Sequence, residues 1–247
     1  AVAFWLLVWH VVSLCVGSEL VLVSPVKVVQ TLFTVIFDPD FLKTVWYSAA
    51  RILGGFFIAL TLGTVFGWVA SRFWVVETLL RPITAVIKAT PVASFIILVL
   101  LWFSGKNLSV IISMLMVFPV IYMNVLEGIR SADEKLLEMA QVFRLSVSKK
   151  LLYIYLPAVA PFFVSACSVS LGLCWKSGIA AEVIGTPDGS IGAVFYQAKI
   201  FLQTSELLAW TVVVVAVSVA FEKLFMFLLR LILKKLKMED VLNGKRA

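Results

Sequence analysis

Apolar residues in this chain fall in long runs rather than at the short period of a soluble fold. Six of these runs approach the ~20 residues that a helix needs to cross a hydrocarbon layer of about 30 Å. They cover about residues 1–17, 47–70, 84–103, 108–126, 158–184 and 207–231. Only a helix satisfies all its backbone N–H and C=O groups within one segment, so each run predicts a transmembrane helix. Between the first two runs the pattern changes. Val26, Val29, Leu32, Phe33 and Ile36 recur at helical spacing behind Ser24-Pro25, and Asp38-Pro39-Asp40 ends the run. That pattern predicts a short amphipathic helix on the membrane surface, followed by a turn. The expected fold class is all-α integral membrane, with about six transmembrane helices in one domain covering residues 1–247.

Composition agrees with this reading. Hydrophobic residues make up 62% of the chain and charged ones 14%, against roughly 45–50% apolar content in soluble domains. In water the surplus would form apolar patches larger than a soluble monomer tolerates. The net charge of +7 comes from Lys and Arg scattered between the apolar runs, not gathered in a stripe, so nucleic acid is excluded as a partner. Counted with Lys88, Lys223 and Arg230 in the adjoining ends of the runs, the sides after runs two, four and six hold fifteen Lys and Arg, and those after runs one, three and five hold four. By the positive-inside rule both termini, including a basic tail at about 232–247, are expected in the cytoplasm of a cell that carries the chain in its plasma or inner membrane. Cys15, Cys167 and Cys174 form no CxxC pair, so buried free thiols are expected rather than a disulfide or metal site. His10 is the only histidine and is expected to pack structurally. The chain opens at Ala1 already inside an apolar run, which sets the expectation of a natural start upstream and of no cleaved signal peptide.

The connection between the fourth and fifth runs, about 127–157, is long for a loop, and long connections are usually functional or disordered. Leu136, Leu137, Ala140 and Phe143 share one helical face, with charges opposite. Ser146 is suited to cap a second short helix that stops at Leu156-Pro157. Two short helices with an apolar face to spare call for a partner protein.

Within this loop Glu138-Met139-Ala140, then Arg144, then Ile154-Tyr155-Leu156-Pro157 resembles the EAA loop of binding-protein-dependent ABC importer permeases. The spacing matches throughout, with Met139 in place of an alanine and Arg144 in place of the motif glycine. Further stretches, among them Ser48–Phe56, Leu80–Ile83, Leu101–Phe103, Gly128–Ser131 and Ala181-Glu182, resemble the nitrate, sulfonate, taurine and bicarbonate permease group. The resemblance covers about residues 24–235. It implies a type I importer fold with cytoplasmic coupling helices, and a second permease copy, with a homodimer as the expected pairing. It also implies a dimer of cytoplasmic ATPase subunits and an extracellular or periplasmic solute-binding protein. Glu138, Ala140, Phe143, Arg144, Leu145, Ser146, Leu156 and Pro157 are the residues it assigns to ATPase coupling. Ala140, Phe143 and Leu145 are expected to form the buried contact, with Glu138 beside them. Arg144 either caps the first short helix or pairs with an acid on the ATPase. No GxxxxGK[ST] phosphate loop occurs, so ATP and Mg are expected on the ATPase and no cofactor on this chain.

Charges at membrane depth are costly and are functional candidates by default. Lys176 lies two-thirds along the fifth run, where the permease group usually carries an uncharged residue; it either lines the pathway or snorkels to the outer interface. Glu182 either pairs with Lys176 or Lys199 or helps to form an external gate. Arg51 is expected at the outer interface. Thr90-Pro91 is read as a bend in the third run, structural or cavity-lining. Gly54, Gly55, Gly63 and Gly67 offer small surfaces for close helix packing. The expected function is a permease subunit for a small polar or anionic solute, such as a sulfonate, nitrate, taurine or a vitamin precursor. A stand-alone channel leaves the two-helix loop without a purpose, and an intramembrane enzyme lacks clustered catalytic side chains.

Overall fold

Three long apolar helices, α3 (Phe41–Arg72), α6 (Gly105–Arg130) and α8 (Val147–Gly185), pack into the core of the computed structural model. It describes residues 2–18 and 21–235. Lipid tails are as apolar as the helices, so association here relies on close van der Waals contact, which small residues permit. Gly63 and Gly67 are where α3 meets α6: a Cβ on Gly63 would lie 2.9 Å from Ile121 Cβ, and one on Gly67 2.8 Å from Val125 Cγ1. Gly55 likewise presses on α6 at Val110, whereas Gly54 points into open space. Ile52, Phe56, Val117, Ile121, Cys167, Leu171 and Trp175 fill the space between the three helices. Ser113 Oγ adds a hydrogen bond of 3.2 Å to the Cys174 carbonyl across α6 and α8.

Helices α3 and α6 run parallel and α8 runs antiparallel to both, which gives the core two ends. Phe41, Gly105 and Gly185 lie at one; Arg72, Arg130 and Val147 lie at the other. Helix α9 (Ile191–Ile200) sits at the first end, and α10 (Thr204–Lys235) runs from there to pack Leu233 against Ala160 near the second. Helix α2 (Pro25–Ile36) starts at Ser24, whose hydroxyl accepts the Lys27 N–H. It is a helix of 12 residues, about 18 Å long, as expected. Val28, Leu32 and Val35 turn inward, however, while Val26, Val29, Phe33 and Ile36 stay exposed.

Several sequence expectations need correction. The third run is not one continuous helix: α4 (Trp74–Ala89) and α5 (Val92–Trp102) meet at a bend of 109°, as a broken span or a re-entrant loop. The residue before a proline avoids the helical region and proline has no N–H, and Thr90 is accordingly extended, with ψ 134°. Among the described residues four helices, α3, α6, α8 and α10, are each long and apolar enough to cross a membrane, or five spans if the bent pair counts as one. Helix α1 (Val2–Val16) has 15 residues and reaches about 22 Å. Leu156-Pro157 does not stop a helix. A π turn over Leu151–Tyr155, with the Leu156 N–H bonded to the Leu151 carbonyl, carries the chain past the proline into one helix of 39 residues. Cys167 and Cys174 are buried free thiols, but Cys15 is exposed. Beyond Lys235, the basic tail lies outside the described residues.

Candidate functional site

The loop at the Arg130 end contains one short helix, α7 (Glu134–Val142), capped by Asp133, whose carboxylate accepts the Lys135 N–H at 2.9 Å. Asp133 was missed as a cap, although an Asp directly before Glu134 at the start of an apolar pattern is the signal for one. At the other end of α7 the Arg144 N–H donates to the Gln141 carbonyl at 3.0 Å and the Leu145 N–H to the Ala140 carbonyl at 2.9 Å. These bonds form a Schellman motif, which requires a left-handed residue at Arg144; its φ is 48°. The importer motif has glycine at this position, and a glycine adopts that backbone without a Cβ penalty. Arg144 keeps the turn at the cost of some strain. Its hydrogen bonds close the helix through the backbone, so the guanidinium is not needed as the cap.

Leu145 then folds back on Leu137 and Ala140, and together they pack against Ala132, Ile154, Tyr155 and Ala158. This corrects the expected contact face: Ala140 is buried and Leu145 half-buried within the chain itself. The apolar surface left over is Leu136, Met139, Val142, Phe143 and Val147, of which Val142, Phe143 and Val147 are 79%, 72% and 80% exposed. Glu138 is exposed in the same helix. Ser146 stands at the N-cap position before Val147, but its hydroxyl makes no capping bond. Leu156 and Pro157 lie just past the π turn, inside α8. Arg130 pairs with Glu77, which ties the start of the loop to α4.

Toward the opposite end, Glu182 is fully buried and pairs with neither Lys176 nor Lys199. Ser48 Oγ donates to its Oε2 at 2.6 Å, and the Gly192 N–H reaches the same oxygen at 3.3 Å. The Ile191 N–H in turn donates to Ser48 Oγ at 2.9 Å. A carboxylate and a hydroxyl thus satisfy free N–H groups in the first turn of α9, where the helix dipole favours negative charge. Gly192 is pressed so close to Glu182 that a Cβ has no room. Arg51 bonds Tyr47 Oη at 2.8 Å and Asn107 Oδ1 at 3.2 Å, and its guanidinium stacks on the Tyr47 ring.

Lys176 is exposed on α8 and makes no ion pair or hydrogen bond among the described residues. One turn earlier, Gly172 faces open space. Leu173 and Ala180, beside this stripe, pack on the cluster that α5 shares with α6. Thr90 hydrogen-bonds its own helix through the Val86 carbonyl at 2.8 Å, and Pro91 is exposed at the bend that leads into α5. Glu182, six residues beyond Lys176, turns the other way, so the two charges do not share a face.

A family model for the binding-protein-dependent transport system inner membrane component matches residues 59–238, from the middle of α3 past the end of α10. The chain belongs to that family. This permease is 34% identical over 218 residues to an Escherichia coli permease protein named for aliphatic sulfonate transport, covering 85% of this chain and 78% of the relative. It is 27% identical over 220 residues to the taurine transport system permease protein TauC of Escherichia coli, covering 87% and 80%. Among solved structures, a chain of an amino acid ABC transporter with histidines superposes with a TM-score of 0.55 at 16% identity, covering 78% of this permease and 96% of that chain. The likeness extends to the fold: an all-α integral membrane permease of the ABC transporter type. The permease is thus a multi-pass membrane transport component.

Proposed function

We propose that this permease forms the translocation pathway of an ATP-driven importer for a small anionic or strongly polar solute of the sulfonate class. An external solute-binding protein delivers the solute, and a separate ATPase dimer, which carries ATP and Mg, drives the cycle. The observation that carries the reading is the solvent-facing apolar strip Met139–Val147 at the end of the bundle where Arg72, Arg81, Arg130, Lys149 and Lys150 gather. A strip of this kind is stable only when something covers it, and on the positive-inside rule this end is cytoplasmic. The ATPase is the cover: Phe143, Val142 and Val147 insert, Glu138 contacts it beside them, and Ala140, Leu145, Leu156 and Pro157 hold the strip in place. Both termini are cytoplasmic on the same reading.

Two permease copies complete the pathway, paired as a homodimer, each a single membrane domain. Lys176 lines it, because an ammonium without a partner is costly at membrane depth unless it faces water or an anion. Thr90 and Pro91 line the same pathway at the bend before α5, and Glu182 holds the outer end of α8 to α9. The sulfonate class is supported by the relatives' names and by the positive charge of Lys176. Co-expression of the permease with its ATPase tests the assembly: a complex with two permease and two ATPase subunits by native mass spectrometry is expected. A stable, ATP-driven complex with one permease contradicts it.

A further inference from the structure

At the end of the bundle opposite the coupling loop, the end of α2, the turn before α3, α9 and the first turns of α10 line an open pocket of about 200 Å³. Three carboxylates, Asp38, Asp40 and Glu206, stand around it with Gln197, and Phe41 and Trp210 form an aromatic wall, their ring centroids 5.6 Å apart. Thr44 also lines it; this residue is 8% exposed, and its hydroxyl makes no hydrogen bond among the described residues. Asp40 lies 3.9 Å from Lys43, both well exposed, and Glu206 has no ion pair among the described residues. In a chain with net charge +7 this is a local acidic pocket on a basic protein.

The size and geometry select the ligand. Small-molecule sites usually measure ~300–1,000 Å³, and this cavity is smaller. A bare metal ion is disfavoured too, since among the described residues no three carboxylate, imidazole or thiol groups converge closely enough to hold one. What remains is a cation on a slim stem. Aromatic faces beside carboxylates suit an ammonium or guanidinium, and the Thr44 hydroxyl at the pocket wall offers it one more acceptor.

We infer that this cavity seats a lysine or arginine side chain of the external solute-binding protein, fixing that protein over the pathway. The inference rests on the importer reading above, which puts this end of the bundle outside the cell. The steering is electrostatic, so it acts mostly on encounter and is screened by salt.

The test uses the full complex of this permease with its ATPase in lipid nanodiscs, titrated with its solute-binding protein while ATP hydrolysis is followed. Asp38→Asn with Glu206→Gln removes two charges while keeping the Asp38 oxygen that accepts the Asp40 N–H at 2.8 Å. The double variant is expected to raise the half-maximal binding-protein concentration about three- to tenfold at low salt, with the gap closing at high salt and basal hydrolysis unchanged. Thr44→Val is expected to raise it about two- to threefold at either salt. A Glu206→Lys permease is rescued by the matching Lys or Arg→Glu change on the binding protein. An unchanged half-maximal concentration and salt slope in the double variant overturn the inference alone. So does a shift in permease pairing by native mass spectrometry without any change in binding-protein affinity. Absence of stimulation in the wild-type complex overturns the importer reading as well.

Discussion

Replacing Phe143 by Ala removes the largest side chain of the exposed strip on the coupling loop. In the isolated chain Phe143 is 72% exposed and makes none of the loop's internal packing, which belongs to Leu137, Ala140 and Leu145. The substitution therefore leaves the permease's own stability within about 0.5 kcal/mol. Covered by the ATPase, a Phe side chain is worth about 1.5–3 kcal/mol. At 1.4 kcal/mol per factor of ten, the variant is expected to bind the ATPase about 10- to 100-fold more weakly. The assay titrates purified ATPase against immobilised permease in detergent, with membrane fractionation to confirm normal insertion. Leu145→Ala is the control: it loosens the internal packing, so its effect on binding follows a fall in thermal stability that Phe143→Ala does not show. A Phe143→Ala affinity within twofold of wild type would refute the assignment of the strip as the contact.

Four further outcomes follow from the same geometry. Arg144→Gly relieves a left-handed residue worth about 1 kcal/mol but adds glycine's unfolded-state entropy, so thermal stability is expected to stay level or rise slightly; a clear fall in ATPase association would show that the guanidinium pairs across the interface. Gly67→Leu drives a side chain into Val125 and should cost about 1–3 kcal/mol, read as a lower melting temperature in detergent; an unchanged melting temperature contradicts the close contact of α3 and α6. Glu182→Ala strands the Ser48 hydroxyl and the Gly192 N–H, costing about 1–3 kcal/mol, whereas Glu182→Gln keeps an acceptor and should be milder; equal losses in thermal unfolding argue against the capping role. Lys176→Met should lower uptake of an anionic solute while complex assembly stays normal, and unchanged uptake kinetics favour snorkelling.

The spans that became α3, α6 and α10 were legible because length and apolarity alone define a crossing helix. The surface helix α2 was legible from its Ser24-Pro25 start and its helical spacing. The 109° break was only half legible: Thr90-Pro91 marked the place, but how far a helix turns at a proline depends on what the two halves pack against. The continuity of α8 through Pro157 was hidden, because the π turn that absorbs the proline leaves no compositional trace. On the coupling loop, spacing grouped Leu136, Leu137, Ala140 and Phe143, yet the inward face was chosen by Leu145, which reaches back only after the left-handed turn at Arg144. Glu182 was visible as an unusual charge, but its partner Ser48 lies 134 residues away, beyond any local pattern. The acidic cavity joins Asp38 to Glu206 and escaped notice for the same reason.

In the proposed cycle this chain moves a solute only when ATP is hydrolysed by a partner docked on its coupling loop. The most direct measurement is uptake of radiolabelled taurine, as a small sulfonate probe, and of nitrate into proteoliposomes holding the permease and its ATPase, with the solute-binding protein outside and ATP within. Uptake of at least one of these anions is expected to require ATP hydrolysis and the binding protein, and to fall in Phe143→Ala with Val142→Ala while the lipid-embedded helices remain folded. Equal flux of either anion without ATP, or ATP-driven uptake unaffected by that double substitution, would contradict it.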